Sequence, residues 1–239
     1  LTIATEYHFR VKATNSLGTT YGNDKSFRIP PPPPSNGLVA FYPFNGNAND
    51  QTSNGNHGVV HGATLTANRF GTLYSAYYFD GINDDITGTT SNWPFYKSPR
   101  TISVWGKLGS LPQWTNALLL TYGVAQLHSS NAIYFQLVSG QEKVFYTAYQ
   151  DEVSTNYDYK INDWYHFVGT FDGSVATLYV NGILVASENK PSWNNMPANF
   201  HIGSLDNWTS WFNGAIDDIR IYNRVLSQDE ILSLYYEIP

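Results

Sequence analysis

Short runs of alternating apolar residues, each closed by a tight-turn signal, recur along most of this 239-residue chain. They fall at Val39 to Tyr42, Ser75 to Phe79, Thr101 to Lys107, Ala132 to Val138 and Lys143 to Tyr149. They continue at Trp164 to Phe171, Val175 to Val180, Asn199 to Ile202 and Ala215 to Tyr222. The turn signals are Asp80-Gly81, Ser139-Gly140, Asp172-Gly173, Asn181-Gly182 and Asn213-Gly214, the dipeptides that suit hairpin turns. A period of two places successive side chains on opposite faces of a strand. Strand after strand with no helical pattern between predicts an all-β fold, an antiparallel two-sheet jelly-roll sandwich. One short helix is predicted near the C-terminus. Ser227-Gln228-Asp229-Glu230 has capping-box spacing, and Ile231, Leu234 and Tyr235 follow at helical spacing. No repeat of about 20–50 residues runs through the chain.

Composition limits the partners. Hydrophobic residues make up 42% and charged residues only 13%, enough apolar mass for a sizeable core. Aromatics reach 16%, which excludes a disordered chain. Lys and Arg number 13 against 19 Asp and Glu, a net charge of -6. With no basic cluster, that balance argues against nucleic acid and anionic membranes as partners. No apolar run approaches the ~20 residues needed for membrane insertion. The chain has no cysteine, so disulfides, thiolate nucleophiles and zinc–thiolate sites are excluded. It opens at Leu1 without Met or a signal-like segment, and is expected to be part of a longer protein.

A linker divides the chain. Pro30 to Pro34, then Ser35 and Asn36, form a polyproline II spacer over 30–36. It separates residues 1–29 from a body over 37–239. In the first piece, Tyr7, Phe9 and Val11 alternate with His8, Arg10 and Lys12, and Lys25 to Ile29 alternate again. Asn15-Ser16-Leu17-Gly18 supplies the turn, so a β-hairpin is predicted. The segment Thr5 to Gly18 resembles the last two strands of a fibronectin type III domain. A remnant of such a domain implies a modular extracellular parent.

Four stretches of the body resemble the laminin-G-like (LamG-like) jelly rolls of the concanavalin A-like lectin/glucanase superfamily. They are Gly37 to Asp50 with Gly55-Asn56-His57-Gly58; Ala76 to Asp84; Trp164 to Gly173 with Leu178 to Gly182; and Gly214 to Ser227. They follow the family's order over residues 37–236. The resemblance implies one convex and one concave sheet, with glycans often held on the concave face or its rim. Fold alone does not give function.

Glucanases of that superfamily carry Glu-x-Asp-x-(x)-Glu on one strand, which aims alternate carboxylates at the substrate. The six glutamates are Glu6, Glu142, Glu152, Glu188, Glu230 and Glu237. None has an acidic partner two residues away on a strand. Asp217-Asp218 and Asp84-Asp85 are adjacent and are expected to point to opposite faces. No Gly-x-Ser-x-Gly, Walker loop or Gly-x-Gly-x-x-Gly is present. His57 and His61 stand four apart, but their setting reads as strand and turn. His166 reads as a packed structural residue. The sequence therefore argues against an enzyme.

Asn45 to Asp50 is dense in oxygen ligands of the kind calcium takes. The same Asx residues also build turns without a metal. The resemblance implies a structural calcium on the convex side, joining Asp50, Asn47 and a carbonyl near Gly81 to an Asp before the Ile219-Arg220-Ile221-Tyr222 strand. The family spacing selects Asp217 for that place.

Glycan sites need aromatic faces for stacking and planar amides for hydroxyls. Trp105 and Trp164 occupy family strand positions and read as structural. Trp93, Tyr96, Trp114, Trp193, Trp208 and Trp211 fall where the family does not demand them. Trp114, Trp193, Trp208 and Trp211 are candidate ligand residues. Strand alternation adds Tyr134, Gln136 and Tyr146 or Tyr149 as a concave face, with His128 nearby. Lys143 and Arg100 are the basic residues placed to meet an anionic sugar.

The resulting expectation is a non-catalytic carbohydrate-binding module that holds a polysaccharide for neighbouring catalytic or adhesion domains of a secreted bacterial parent. A structural or adhesion module with calcium and no sugar site is the first alternative. A glycan-cleaving enzyme with an unfamiliar carboxylate pair is the second.

Overall fold

A computed structural model describes residues 5–29, 31–110, 116–139, 141–205 and 210–238. The chain opens with four short strands, β1 (Glu6–Phe9), β2 (Lys12–Asn15), β3 (Gly18–Tyr21) and β4 (Lys25–Arg28). β1 pairs antiparallel with β4, and β2 with β3, so the predicted hairpin is present. Asn15 closes its tip, its Oδ1 accepting the N–H groups of Leu17 and Gly18.

The body begins with β5 (Leu38–Tyr42), β6 (Val59–His61), β7 (Thr64–Thr66), β8 (Ala76–Asp80), β9 (Asp85–Gly88) and β10 (Arg100–Leu108). It continues with β11 (Ala117–Gly123), β12 (Ser130–Val138), β13 (Gln141–Thr147), β14 (Glu152–Asn156) and β15 (Trp164–Phe171). It ends with β16 (Val175–Val180), β17 (Ile183–Asn189), β18 (Phe200–Ile202), β19 (Asn213–Tyr222) and the helix α1 (Gln228–Tyr235).

These strands form two antiparallel sheets. The eight-stranded sheet runs β17-β16-β15-β10-β19-β8-β7, with β5 also on β19. The seven-stranded sheet runs β14-β13-β12-β11-β18-β9-β6. One core lies between them. Tyr42, Phe79, Val104, Phe167, Leu178 and Ile219 enter it from one sheet, and Leu119, Tyr122, Ile133, Val144, Tyr146 and Phe200 from the other. This is the predicted sandwich. Gly169 fits beneath Tyr146, because a Cβ there would lie 2.7 Å from the Tyr146 ring. The Asn181-Gly182 turn between β16 and β17 has φ of 51° and 76°, the left-handed pair its sequence signals.

Two bulges set side-chain direction. In β11, Leu118 pairs with Tyr134 and Leu120 with Ile133, which leaves Leu119 over. Leu119 and Leu120 then both enter the core, while Leu118 and Thr121 face outward. In β19, Asp217 pairs with Trp105 and Arg220 with Ser103, and Asp218 has φ of 44°. The extra residue brings Asp217 and Asp218 out on the same side, where both meet Arg69. Strict alternation had placed them on opposite faces, and the bulge corrects that.

The predicted C-terminal helix is present and packs on the outside of the eight-stranded sheet. Ser227 Oγ accepts the Glu230 N–H, and the Glu230 carboxylate accepts the Ser227 N–H. Leu226, Ile231 and Leu234 pack on Val168 and Tyr222. Among the described residues no helix is long and apolar enough to cross a membrane.

Candidate functional site

The outer face of the seven-stranded sheet carries two recesses, and the strand registers explain their shape. Thr87 pairs with His201, His201 with Thr121, Thr121 with Ala132, Ala132 with Thr147, and Thr147 with Glu152. All six point outward in one lateral row across β9, β18, β11, β12, β13 and β14. Five strand spacings make the row about 24 Å long. Small hydroxyl and methyl side chains dominate its floor, so a ligand can come close to the sheet.

Thr87, Thr121, Gln126, Asn199, His201 and Leu205 line the first recess, of about 690 Å³. That lies within the range of small-ligand sites. The second, of about 210 Å³, is lined by Asn116, Ala132, Tyr134, Thr147, Tyr149 and Glu152, among others. Leu205 borders both and packs on an outward apolar cluster of Leu118, Ala132, Tyr134 and Phe145.

Tyr134 stacks on Phe145, its partner across β12 and β13, with ring centroids 4.6 Å apart and planes 5° from parallel. Burial, then the Glu152 charge, pushes the Tyr134 phenol up, so it keeps its proton and can donate to a hydroxyl. Burial, then Asp151, raises Glu152. At the other recess, His201 Nδ1 lies 3.6 Å from Asp85 Oδ2, which also accepts from Ser204 Oγ at 3.2 Å.

The rim at one end is built around Asp151. Its Oδ1 takes Lys190 Nζ at 2.7 Å, and its Oδ2 takes Trp193 Nε1 at 3.0 Å. His128 Nδ1 lies 3.1 Å from the same Oδ2. His128, Tyr149 and Gln150 all hold positive φ, at 61°, 50° and 60°. Such backbone costs energy and persists only where the surroundings impose it. Here the His128 N–H donates to Tyr149 O and the Asn194 N–H to His128 O, which ties three loops together.

The predicted ligand residues separate accordingly. Tyr134 and Tyr149 line the second recess. Gln136 shares the outward face of β12 with Tyr134, opposite Lys143 on β13, beyond the recess. His128 is a rim residue held by Asp151. Tyr146 is corrected: it points into the core, fully buried, its hydroxyl donating to Asn131. Trp193 is corrected too. It is fully buried against Tyr146 and Phe171, because its one polar atom finds Asp151 and its ring can leave water. Trp211 is half-buried, its backbone bridged to Ser204. Trp114 and Trp208 lie outside the described residues. Trp93 stacks on Phe200 in the core, and Tyr96 is exposed with its backbone bridged to Asn195. Arg100, named as a basic contact for an anionic sugar, is buried with Nε on Asn131 Oδ1. Burial lowers His166 well below the usual histidine range, and its Nε2 meets Ser103 Oγ, as a packed structural residue requires.

The calcium set does not come together. The Phe41 N–H and the Asn56 N–H donate to the two oxygens of Asp50, on the side of β5 away from β19. Asn47 is exposed and caps its own turn, accepting from Asn49. Gly81 abuts Asn213, four residues along β19 from Asp217, about 13 Å. Asp217 Oδ2 accepts from Arg69 at 3.1 Å, and its Oδ1 accepts the Asp218 N–H. These donors therefore do not fit one calcium as arranged, and Arg69 supplies the positive charge between Asp217 and Asp218. Among the described residues no group of three or more His, Asp or Glu side chains is placed to hold a metal ion.

Among the described residues, the carboxylates at the groove are Glu152 and, beside His201, Asp85; they stand on β14 and β9, five strand spacings apart, about 24 Å. Glycosidase pairs stand about 5–9.5 Å apart.

Two packed antiparallel sheets in this strand order define a concanavalin A-like sandwich. The chain belongs to the concanavalin A-like lectin/glucanases superfamily, whose Laminin_G_3 model matches residues 79–232. No curated protein matches the chain. Among solved structures it is similar to domain 4 of AbnA, a GH43 extracellular arabinanase from Geobacillus stearothermophilus, in complex with arabinotriose. That match has 20% identity and a TM-score of 0.64, covering 83% of this chain and 98% of that one. It is also similar to the Botulinum neurotoxin serotype D ligand binding domain in complex with N-acetylneuraminic acid. There the identity is 17% and the TM-score 0.65, over 83% of this chain and 50% of that one. The serotype G binding domain matches at 16% and 0.64, over 83% and 50%. The chain thus spans about half the length of the toxin domains.

Proposed function

We propose that this chain is a non-catalytic carbohydrate-binding module that holds a polysaccharide for other domains of a secreted parent protein. One observation carries the reading. The outward row Thr87, His201, Thr121, Ala132, Thr147 and Glu152 forms a continuous, mostly polar floor, broken only by the Ala132 methyl, under two recesses. Hydroxyls, an imidazole and the two phenols of Tyr134 and Tyr149 match the alternating donors and acceptors of sugar hydroxyls. Two solved relatives of the same fold hold a sugar, arabinotriose in one and N-acetylneuraminic acid in the other, which supports the reading by analogy. Tethering to a polymer would raise the effective concentration of any linked catalytic domain.

Native affinity electrophoresis of the full chain against soluble polysaccharides tests this. Retardation by at least one polymer, abolished when Thr87→Tyr fills the first recess, is the expected result. An unretarded, folded protein across the whole panel would overturn the reading and favour a structural or adhesion module.

A further inference from the structure

The charges around the groove say which class of glycan it takes, an inference that rests on the module reading above. No Lys or Arg is among the described residues lining either recess. The two ends of the row carry carboxylates instead, Glu152 on β14 and Asp85 beside His201 on β9. His201 Nδ1 faces Asp85 Oδ2 at 3.6 Å, so the imidazole stands against a carboxylate. Lys190, whose field reaches Glu152, is held at 2.7 Å by Asp151 and at 3.0 Å by Glu188. Arg100 is buried in the core. The whole chain adds a net charge of -6. An anionic sugar entering this groove would meet like charge at both ends and, among the described residues, no cation on the floor; the outward Lys143, opposite Gln136, lies beyond the second recess.

Length decides the second feature. The floor runs about 24 Å, with Leu205 as a low apolar step between the recesses. A single ring would leave most of that row in water. Several rings in sequence would cover it, and sugar faces pack well on an apolar step such as Leu205.

We propose that the groove takes an internal stretch of a linear, uncharged polysaccharide and rejects uronate, sulfated and sialylated chains. The test uses the full chain against neutral β-glucan, galactan and arabinan, and against alginate, polygalacturonate and heparin, in about 0.15 M salt. Expected is at least about tenfold weaker binding of every polyanion than of the best neutral polymer. Glu152→Gln, at a half-exposed position, is expected to narrow that ratio, and Asp85→Asn serves as a second, independent variant. Competition by oligomers of the bound polymer should strengthen with chain length. Equal or tighter binding of a polyanion overturns the charge inference while leaving the module reading intact. A monosaccharide competing as well as a long oligomer overturns the internal-stretch part. Absence of binding to all six polymers removes the module reading and this inference together.

Discussion

Arg69 Nη1 donates to Asp217 Oδ2 at 3.1 Å, joining a surface loop to the middle of β19 across 148 residues of sequence. The contact belongs to a buried cluster. Arg69 also meets Asp218 and Glu237, while Arg220 Nη1 meets Glu237 at 2.8 Å. The Arg69 guanidinium lies 4.6 Å from the centre of the Trp105 ring, which in turn stacks on Tyr235 of α1. Loop, sheet, helix and C-terminal segment meet at this cation.

Removing that cation strands buried carboxylates. Arg69→Ala is expected to cost about 3–5 kcal/mol, the range for breaking one partner out of a buried pair. Arg69→Lys should recover only part, since a point charge cannot replace the planar fork. Urea unfolding of the three proteins measures this, and an unchanged midpoint for Arg69→Ala would sink the assignment.

The cluster holds two guanidiniums and three carboxylates, so one negative charge is in excess. A proton on Asp217 balances it: burial, then the Asp218 charge, pushes Asp217 up to about 8 from an ordinary 3.8. Between those values the folded state keeps a proton that the unfolded chain has lost. Stability contributed here is present at low pH and falls as pH rises toward 8, by at most about 1.4 kcal/mol per pH unit. Asp217→Asn should flatten that decline in thermal melts from pH 5 to 8. An identical pH profile in the variant would count against a protonated Asp217.

Because Arg69 occupies the place between Asp217 and Asp218, and Asp50 lies beyond β5, calcium is expected to leave stability unchanged. Melting temperatures with a chelator and with millimolar calcium should coincide. A midpoint that climbs with calcium concentration would show a site by mass action and restore the metal expectation.

Trp193 and Tyr149 should behave oppositely. Trp193→Ala empties a core position and loses the Nε1 bond to Asp151, so a loss of about 3–5 kcal/mol in stability is expected. Tyr149→Ala removes a ring from the second recess and should weaken polysaccharide binding about tenfold, with a much smaller change in the unfolding midpoint. Binding unchanged in Tyr149→Ala would move the site away from that recess.

Much of the fold was legible in local pattern. Period-two alternation, Asx-Gly turns and the Ser227–Glu230 capping box depend on neighbours a few residues apart, so the hairpin over the first residues, nine of the body's strands and α1 were readable locally, whereas the short or irregular β6, β7, β9, β11, β14 and β17 were not. Parity within β12 also placed Tyr134 and Gln136 on one outward face. The site was less legible. Thr87, His201, Thr121 and Thr147 become one floor only because β9, β18, β11, β12 and β13 lie side by side in that register. Nothing local encodes which strand lies next to which, so no signal short of the pairing order could have found that row. Trp193 read as a loop aromatic because sequence shows Asn and Ser beside it, whereas the tertiary structure supplies Asp151, 42 residues away, as partner for its one polar atom. The β19 bulge likewise arises from how β10 and β19 fit together, and it turned two adjacent carboxylates toward one arginine. The sequence by itself determined nine of the body's strands, the C-terminal helix and the family resemblance, but not β6, β7, β9, β11, β14 and β17, nor the side-chain directions at the two bulges. The tertiary structure decided the groove and the buried charge cluster, because both are made by contacts between segments whose order in space no short-range pattern carries.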